Sequence, residues 1–484
     1  MTADAPVHTH REKWLALALL AAAQFVVVLD ASIVNVALPS IGRDLKFSQD
    51  DLSWVVNAYT LFFGGFLLLG GRLADRLGRR RMFIAGMVLF ALASLAGGLA
   101  DSELWLVIAR AVQGLGAAII SPAALSIVTT TFSEGAERNK ALGVWGAVAG
   151  SGGAAGVLLG GVLTRYAGWE WVLFVNVPIG LLAAFLAPRM LLESRDDRAK
   201  SFDVVGAVSV TAGLALLVYS LVNANKAGWG SAETVALLAG AVLLLVFFWS
   251  WERRTQHPLV PFSIFRLRTL RGSNAAGLLI GASLFAMFFF ISLYLQQVLG
   301  YDALKTGFAY LPLALTIIIS AGVASQLVTR IGFKTTLLVG LAFIVVGLLW
   351  FSRVSAPGGT YVGDILFPSI LAAVGLGFSF VPVTIGAVMG VSDDDAGLAS
   401  GLINTSQQVG GALGLAVLVA IANNVTGAAT HDPVALTHGF RDAFVVGAGF
   451  AALGFVLSAL MISGRDSRAH AEAARADEPA PAAA

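Results

Sequence analysis

The sequence predicts an all-α polytopic membrane protein of fourteen transmembrane helices, and three observations carry that reading. The 484 residues are 57% hydrophobic and only 12% charged, too little charge to cover a soluble domain of that size. Apolar stretches of about 20 residues, the length that crosses a hydrocarbon core, recur along nearly the whole chain. The 31 Lys and Arg fall unevenly between alternate loops, the mark of a fixed orientation. A net charge of +2 gives no reason to expect nucleic acid as a partner. The absence of cysteine excludes disulfides, iron–sulfur clusters and thiolate metal sites. No cofactor or metal is expected.

The elements follow in chain order. Residues 1–13 form a polar tail. The first span, 14–38, is too long for a signal-peptide core and lacks a clear small-residue cleavage site, so it should stay in the membrane. It contains Asp30, inside "VVVLDASIVNVALPSI" (26–41). Span two, 51–71, leads into "GRLADRLGRRR" (71–81). There Gly71 and Gly78 permit close helix approach and a tight turn, and Asp75, Arg79, Arg80 and Arg81 supply fixed charges. The arginines can be read as a topology signal alone, but glycine, acid and base at this spacing favour a gate. After span three (82–100), span four (104–128) carries Arg110 and Gln113, one turn apart on one face. Its Gly114, Gly116 and Ala117 are small enough for another helix to approach closely.

Spans five and six (139–163, 168–190) close a first group, and two more (204–222, 232–251) follow. In the connection 252–272, Pro258 and Pro261 break any helix. Phe262, Ile264 and Phe265 then alternate with Arg266, Arg268 and Arg271, a pattern that fits a segment lying along an anionic leaflet. Spans 273–298, 306–329, 335–352, 361–388, 397–424 and 442–463 make the last six. In "LFAMFFFISLYLQQ" (284–297), Phe285, Phe289, Ser292 and Gln296 share one helical face. "DDDAGLASG" (393–401) opens span thirteen with Asp393, Asp394 and Asp395. Acids at a helix start favour the positive end of its dipole; the sharper reading is that they meet Arg79–Arg81 when that side closes. Asn404 and Gln408 lie one turn apart in the same span. The tail 464–484, rich in Ala, Arg, Glu and Pro, is expected to be disordered.

An even number of spans puts both ends of the chain on one side. With the N-terminus cytoplasmic, inside segments and span ends hold 23 Lys and Arg, outside loops seven, and Arg110 alone sits well inside a span. Both termini are therefore expected in the cytoplasm. An internal repeat supports the same layout. "GRLADRLGRR" (71–80) and "SQLVTRIGFK" (325–334) align at an offset of 254, matching Leu73/Leu327, Arg76/Arg330, Gly78/Gly332 and Arg80/Lys334. Setting spans seven and eight aside, the flanking helices match in order. The domains are then a six-helix bundle at 14–190, two added helices within 191–251, the linker 252–272 and a second bundle at 273–463. Two related halves imply a substrate path between them near the midplane, opened alternately by rocking.

The 71–81 loop resembles the conserved cytoplasmic loop of the major facilitator superfamily. "LDASIVNVALPSI" (29–41), "RAVQGLGAA" (110–118), "GWEWVLFVNVPIG" (168–180), "HPLVPFSIF" (257–265) and "GLINTSQQVGGALG" (401–414) resemble its fourteen-helix drug:proton antiporter branch. The similarity runs from about residue 14 to 463. It implies the major facilitator fold, two pseudo-symmetric bundles with two extra helices, and export driven by the proton gradient. Of the fifth-helix antiporter signature, Gly152, Gly156, Gly160 and Gly161 hold their places, but Val157 replaces the proline. That helix should therefore be straighter. Glu170 and Gln407 stand where the branch often has basic residues, so family contacts there are not carried over.

Asp30 and Arg110 lie roughly 12 and 9 Å inside the outer ends of their spans, at 1.5 Å per residue. A lone charge at the bilayer centre costs ~2.5–3.5 kcal/mol on insertion scales, and a partner offsets much of it. The two are expected to face the bundle interior and interact. One reading is a fixed ion pair holding helix one to helix four; the other is a proton-coupling site, in which protonating Asp30 releases Arg110. Gln113 either extends that polar network or hydrogen-bonds a neighbouring helix. A wide apolar cavity would take a small lipophilic substrate. Phe285, Phe289 and Gln296, or Asn404 and Gln408, are candidates to line it, although most such aromatics face lipid or other helices.

Other classes fit less well. An ATP-driven pump would need a phosphate-binding loop, and no G-x-x-x-x-G-K-[ST] occurs. All six histidines lie in tails or loops, leaving no obvious intramembrane base for an enzyme. A sensor on this scaffold would not need paired intramembrane charges. The expected function is a monomeric, proton-coupled exporter of lipophilic, often cationic drugs or secondary metabolites in the inner or plasma membrane. The alternative is an exporter or flippase of lipids.

Overall fold

The computed structural model describes residues 9–47, 52, 54–195, 203–256, 258–427 and 432–476. Among them, fourteen helices are long and apolar enough to cross a membrane. The first is α1 (His10–Asp44), begun by a Thr9/Glu12 capping box that satisfies the first free N–H groups. Next come α2 (Trp54–Leu77), α3 (Arg79–Gly98), α4 (Glu103–Thr131) and α5 (Ala136–Tyr166). The short α6 (Trp171–Phe174) and α7 (Asn176–Met190) together make the sixth span. The two added helices are α8 (Val204–Ala227) and α9 (Ala232–Glu252). The second half holds α10 (Arg268–Leu293), α11 (Ala303–Ala309), α12 (Leu311–Ile331), α13 (Phe333–Phe351), α14 (Phe367–Val388), α15 (Ala396–Thr426) and α16 (Pro433–Met461).

The repeat in the sequence is a repeat in geometry. One residue separates α2 from α3 and one separates α12 from α13, and both are glycines with positive φ: Gly78 at 106° and Gly332 at 85°. A side chain resists that conformation, so glycine at both places lets a helix stop and restart within one residue. In each half the segment after the last helix closes over this turn. The backbone N–H of Arg79 donates to the Ser194 carbonyl at 3.0 Å, and that of Lys334 donates to Ser467 Oγ at 3.0 Å.

Within the first half, α1 packs on α5, and α4 on α2 and α3; within the second, α10 packs on α15 and α16, and α13 on α14. The halves meet along two seams, α2 against α15 and α5 against α12. The added pair, α8 with α9, leans on α2 and α15 through α8.

Two expectations are corrected. The linker does not offer its apolar residues to a leaflet. Leu259, Val260 and Ile264 are buried and pack with Leu68, Val388 and Leu398; Phe262 and Phe265 are half-buried, while Arg266, Arg268 and Arg271 are exposed. The Glu252 carboxylate holds the turn there by accepting the N–H groups of Leu259 and Val260 at 3.2 and 3.0 Å. The tail, expected to be disordered from 464 onward, forms a helix α17 (Gly464–Ala476); 477–484 lie outside the described residues. Its buried face is Ser467, Ala471 and Ala474, residues too small to register as an apolar stripe in the sequence.

Candidate functional site

Asp30 and Arg110 meet. Arg110 Nη1 lies 2.6 Å from Asp30 Oδ2, with side chains 1% and 0% exposed. The pair is possible because α1 and α4 pack together and because neighbours bond both carboxylate oxygens and two of the three guanidinium nitrogens, Nη2 alone making no hydrogen bond. Arg110 Nη1 also donates to Gln113 Oε1 at 2.7 Å and Arg110 Nε to the Val55 carbonyl at 3.0 Å. The guanidinium stacks over the Tyr59 ring, 4.4 Å from its centroid, a favourable placement for a cation on a π-face. Asp30 Oδ1 accepts from Gln113 Nε2 at 2.8 Å and from Asn176 Nδ2 at 2.7 Å. Both amides also donate to Ser94 Oγ, at 3.0 Å each, and Ser94 donates to the Leu173 carbonyl at 2.9 Å. The network therefore joins α1, α2, α3, α4, α6 and α7. Gln113 extends it rather than bonding an unrelated helix.

Chemically this is a net-neutral cluster in an apolar bundle, whose one basic atom pair is the Asp30 carboxylate. Burying both charges is tolerable because each is paired and hydrogen-bonded. Asn176, Ser94 and Tyr59 were not singled out from the sequence. The available signal for Asn176 was a lone amide in "VLFVNVPIG" (172–180), an apolar stretch where an unpartnered amide would be costly.

The gate is built differently from the expectation. Arg80 and Arg81 lie 3.7 Å from Glu193 in their own half, and Arg79 is paired with Asp75 at 2.8 Å, one turn back on α2. Asp395 takes Arg72, at 3.3 Å. The meeting predicted was of Arg79–Arg81 with Asp393–Asp395; of these acids, Asp395 pairs with Arg72 instead, while Arg80 and Arg81 lie near Glu193, which follows α7 and folds back on the turn. The Asp393 side chain lies outside the described residues. Asp75 crosses the seam instead. Its carboxylate accepts the backbone N–H groups of Gly397 and Leu398, both at 2.8 Å. Gly71 sits directly against Gly397, where a Cβ would strike the Gly397 carbonyl. On the other seam, Asn139 of α5 donates to Thr329 of α12 at 3.1 Å and contacts His470 of α17 at 3.1 Å. The halves are thus joined on both sides of the end that carries the basic loops.

Gly152, Gly156 and Gly160 press α5 onto α1. A Cβ on them would meet Val28, Ser32 with the Leu29 carbonyl, and the Ile33 carbonyl respectively. Gly161 is buried beside them, and α5 runs unbroken through Val157 for 31 residues. The pocket candidates do not form one group. Phe285 and Phe289 are exposed, and Phe285 seats on Gly411, one turn from Gln408. Gln408 lies against Gly64 at the α2–α15 seam, and the Asn404 amide donates to its own helix at Ser400. Gln296 is exposed as well and sits in a π-helical turn, Tyr294–Val298, where Leu299 N–H bonds the Tyr294 carbonyl at 3.0 Å.

Comparison with known proteins agrees with this architecture. Residues 20–415 match the Major Facilitator Superfamily. The cephamycin export protein CmcT of Amycolatopsis lactamdurans is 44% identical, covering 89% of this chain and 88% of that protein. The puromycin resistance protein pur8 of Streptomyces alboniger is 40% identical over 94% and 93% of the two chains. The tetracenomycin C resistance and export protein of Streptomyces glaucescens is 37% identical over 84% and 75%. In fold, the chain is similar to the human organic anion transporter MFSD10, with a TM-score of 0.67 at 17% identity over 92% of this chain and 99% of that one. The chain belongs to the Major Facilitator Superfamily and is a transporter, not an enzyme, with fourteen helices fit to cross a membrane among its described residues.

Proposed function

We propose that this transporter exports lipophilic, often cationic compounds, antibiotics among them, in exchange for protons, with Asp30 and Arg110 as the coupling pair. Its relatives named for cephamycin export, puromycin resistance and tetracenomycin C export support the substrate class. The observation that carries the coupling is the 2.6 Å ion pair, sealed from solvent within the first half. It works as a monomer in the inner or plasma membrane, with the basic end and both termini cytoplasmic, as the distribution of Lys and Arg favours.

The ion pair and the closed basic end support a simple cycle. With the basic end closed at both seams, Asp30 is ionised and held by Arg110. A proton entering from the outer side neutralises Asp30 and frees Arg110 to take another partner, which lowers the energy of a different packing of α1, α4 and α7. A ligand or proton shifts such an equilibrium only by binding one arrangement more tightly than the other. Release of the proton to the cytoplasm restores the pair. The test is efflux of a fluorescent lipophilic cation from proteoliposomes under an imposed pH gradient. Asp30→Asn should abolish gradient-driven efflux; unchanged efflux would remove Asp30 from the mechanism.

A further inference from the structure

Every hydrogen-bond partner shown for Asp30 is a donor: Arg110 Nη1, Gln113 Nε2 and Asn176 Nδ2. That suits an ionised carboxylate, which only accepts. It does not suit a protonated one, whose new O–H requires an acceptor among these buried neighbours. A buried donor left without a partner loses its hydration with nothing in return.

The acceptors of the cluster are nearly all engaged. Gln113 Oε1 holds Arg110 Nη1. The Val55 carbonyl holds Arg110 Nε. The Leu173 carbonyl holds Ser94, and Ser94 Oγ already accepts from both amides. One oxygen stands apart: Asn176 Oδ1 is buried and makes no hydrogen bond. The amide could not sit the other way round in this state, because Oδ1 would then face the Asp30 carboxylate.

We propose that Asn176 is the switching partner of Asp30, donating through Nδ2 when the carboxylate is ionised and accepting through Oδ1 when it is protonated. Half a turn about the Cβ–Cγ bond exchanges the two roles and brings a free acceptor to the new O–H. Gln113 cannot do the same cheaply. Turning either amide gives up its donor bonds to Asp30 and Ser94, but only the turn of Gln113 also takes an acceptor from Arg110 and aims an NH2 group at it. The rotation of Asn176 also has a structural consequence, because Nδ2 leaves Ser94 on α3. Asn176 is the first residue of α7, directly after Val175, which joins it to α6. Protonation would thus be passed to the third and sixth spans by the loss of one hydrogen bond. Asn176 is here a positioning residue, and its role rests on the reading of Asp30 as the proton-coupling group.

Infrared difference spectroscopy on the full-length protein in lipid, stepped in pH without substrate, reads both groups. The wild type should gain a protonated-carboxyl C=O band that Asp30→Asn removes, together with a change in a side-chain amide C=O band that moves when asparagine is 13C-labelled. Asn176→Leu should shift the carboxyl band to higher wavenumber, as its hydrogen bond is lost, and abolish the amide change. If the carboxyl band is present but unmoved by Asn176→Leu, the switch is overturned while the coupling reading stands. If Asn176→Leu does not fold, the labelled wild type decides alone, since no pH-dependent asparagine band also overturns it. If no band depends on Asp30, the coupling reading falls, and the switch with it.

Discussion

The Asp75 carboxylate accepts the backbone N–H of Gly397 at 2.8 Å, across 322 residues of chain. A carboxylate of one half thereby caps the helix that opens a span of the other, where free N–H groups and the helix dipole both favour negative charge. The opposite seam repeats the arrangement. Thr329, 254 positions after Asp75 and so its counterpart in the repeat, receives Asn139 from the first turn of α5. The pseudo-symmetry of the halves thus extends to the contacts that close them.

Asp75→Asn should loosen the α2–α15 seam. An amide presents one acceptor oxygen where two N–H groups now bond, and it removes the negative charge that faces the buried Arg79. Losing hydrogen bonds to a charged group costs about 1.5–3 kcal/mol. Hydrogen–deuterium exchange over the first turn of α15 reads this directly: Gly397 and Leu398 should lose protection by about ten-fold or more. Unaltered protection would mean that Asp75 does not hold the seam.

Arg72 and Asp395 should behave as a reversible pair. Their side chains are 18% and 32% exposed, so the interaction is worth no more than about 1 kcal/mol. Arg72→Asp or Asp395→Arg alone should reduce efflux about two- to five-fold by placing like charges together. The double exchange should recover it. A double variant no better than either single one would break the link between this contact and closure.

Removing one partner of the buried pair should cost more than removing both. Arg110→Gln alone leaves Asp30 as an uncompensated buried charge, a loss of about 3–5 kcal/mol. Asp30→Asn with Arg110→Gln leaves a neutral amide pair and should unfold at higher temperature than Arg110→Gln. Thermal melting of the purified transporters in detergent compares them. Additive losses would show that the two groups do not interact.

The docking of α17 should weaken as pH falls. Burial holds the His470 imidazole below its usual range; of its charged neighbours, Glu134 pulls it upward and Arg138 downward. The neutral ring is therefore favoured when docked, and the undocked helix binds more protons below about pH 6.5. Docking is full above that value and is lost as pH drops through the docked pKa. The protection factors of the α17 amides, which discount the slower intrinsic exchange at lower pH, should fall between pH 7.5 and 5.5 in the wild type and fall less in His470→Gln.

The α5–α12 seam can be trapped chemically, because the chain has no cysteine of its own. Asn139→Cys with Thr329→Cys, joined by a short cross-linker that attaches through disulfides, should lock it. Efflux should stop and return on reduction. Continued efflux from the cross-linked protein would mean that this seam never opens.

Much of the architecture is legible before any coordinates. Hydrophobic length marks the spans because a bilayer imposes it on every crossing helix, and Gly78 and Gly332 mark the repeat because only glycine accepts that turn cheaply. Asp30 and Arg110 stand out because charges inside spans are rare and expensive, so the two that occur select each other. The gate is less legible. Asp75 bonds to backbone N–H groups, which every residue carries and no sequence distinguishes, and Arg72 was passed over in favour of three neighbouring arginines.

Composition and periodicity alone determined that this is a fourteen-span helical protein with an acid and a base facing one another in its first half. Tertiary structure decided what those charges lean on. Asn176 reaches Asp30, and Ser94 the two amides that hold it, only after six helices converge; the tail helix packs on α12 and α13, and the linker buries its apolar residues in a cleft made by both halves. Solvation in a bilayer acts on each segment separately and so leaves its trace in the sequence. Hydrogen-bond partners are matched between segments distant in the chain, and no local pattern records that match.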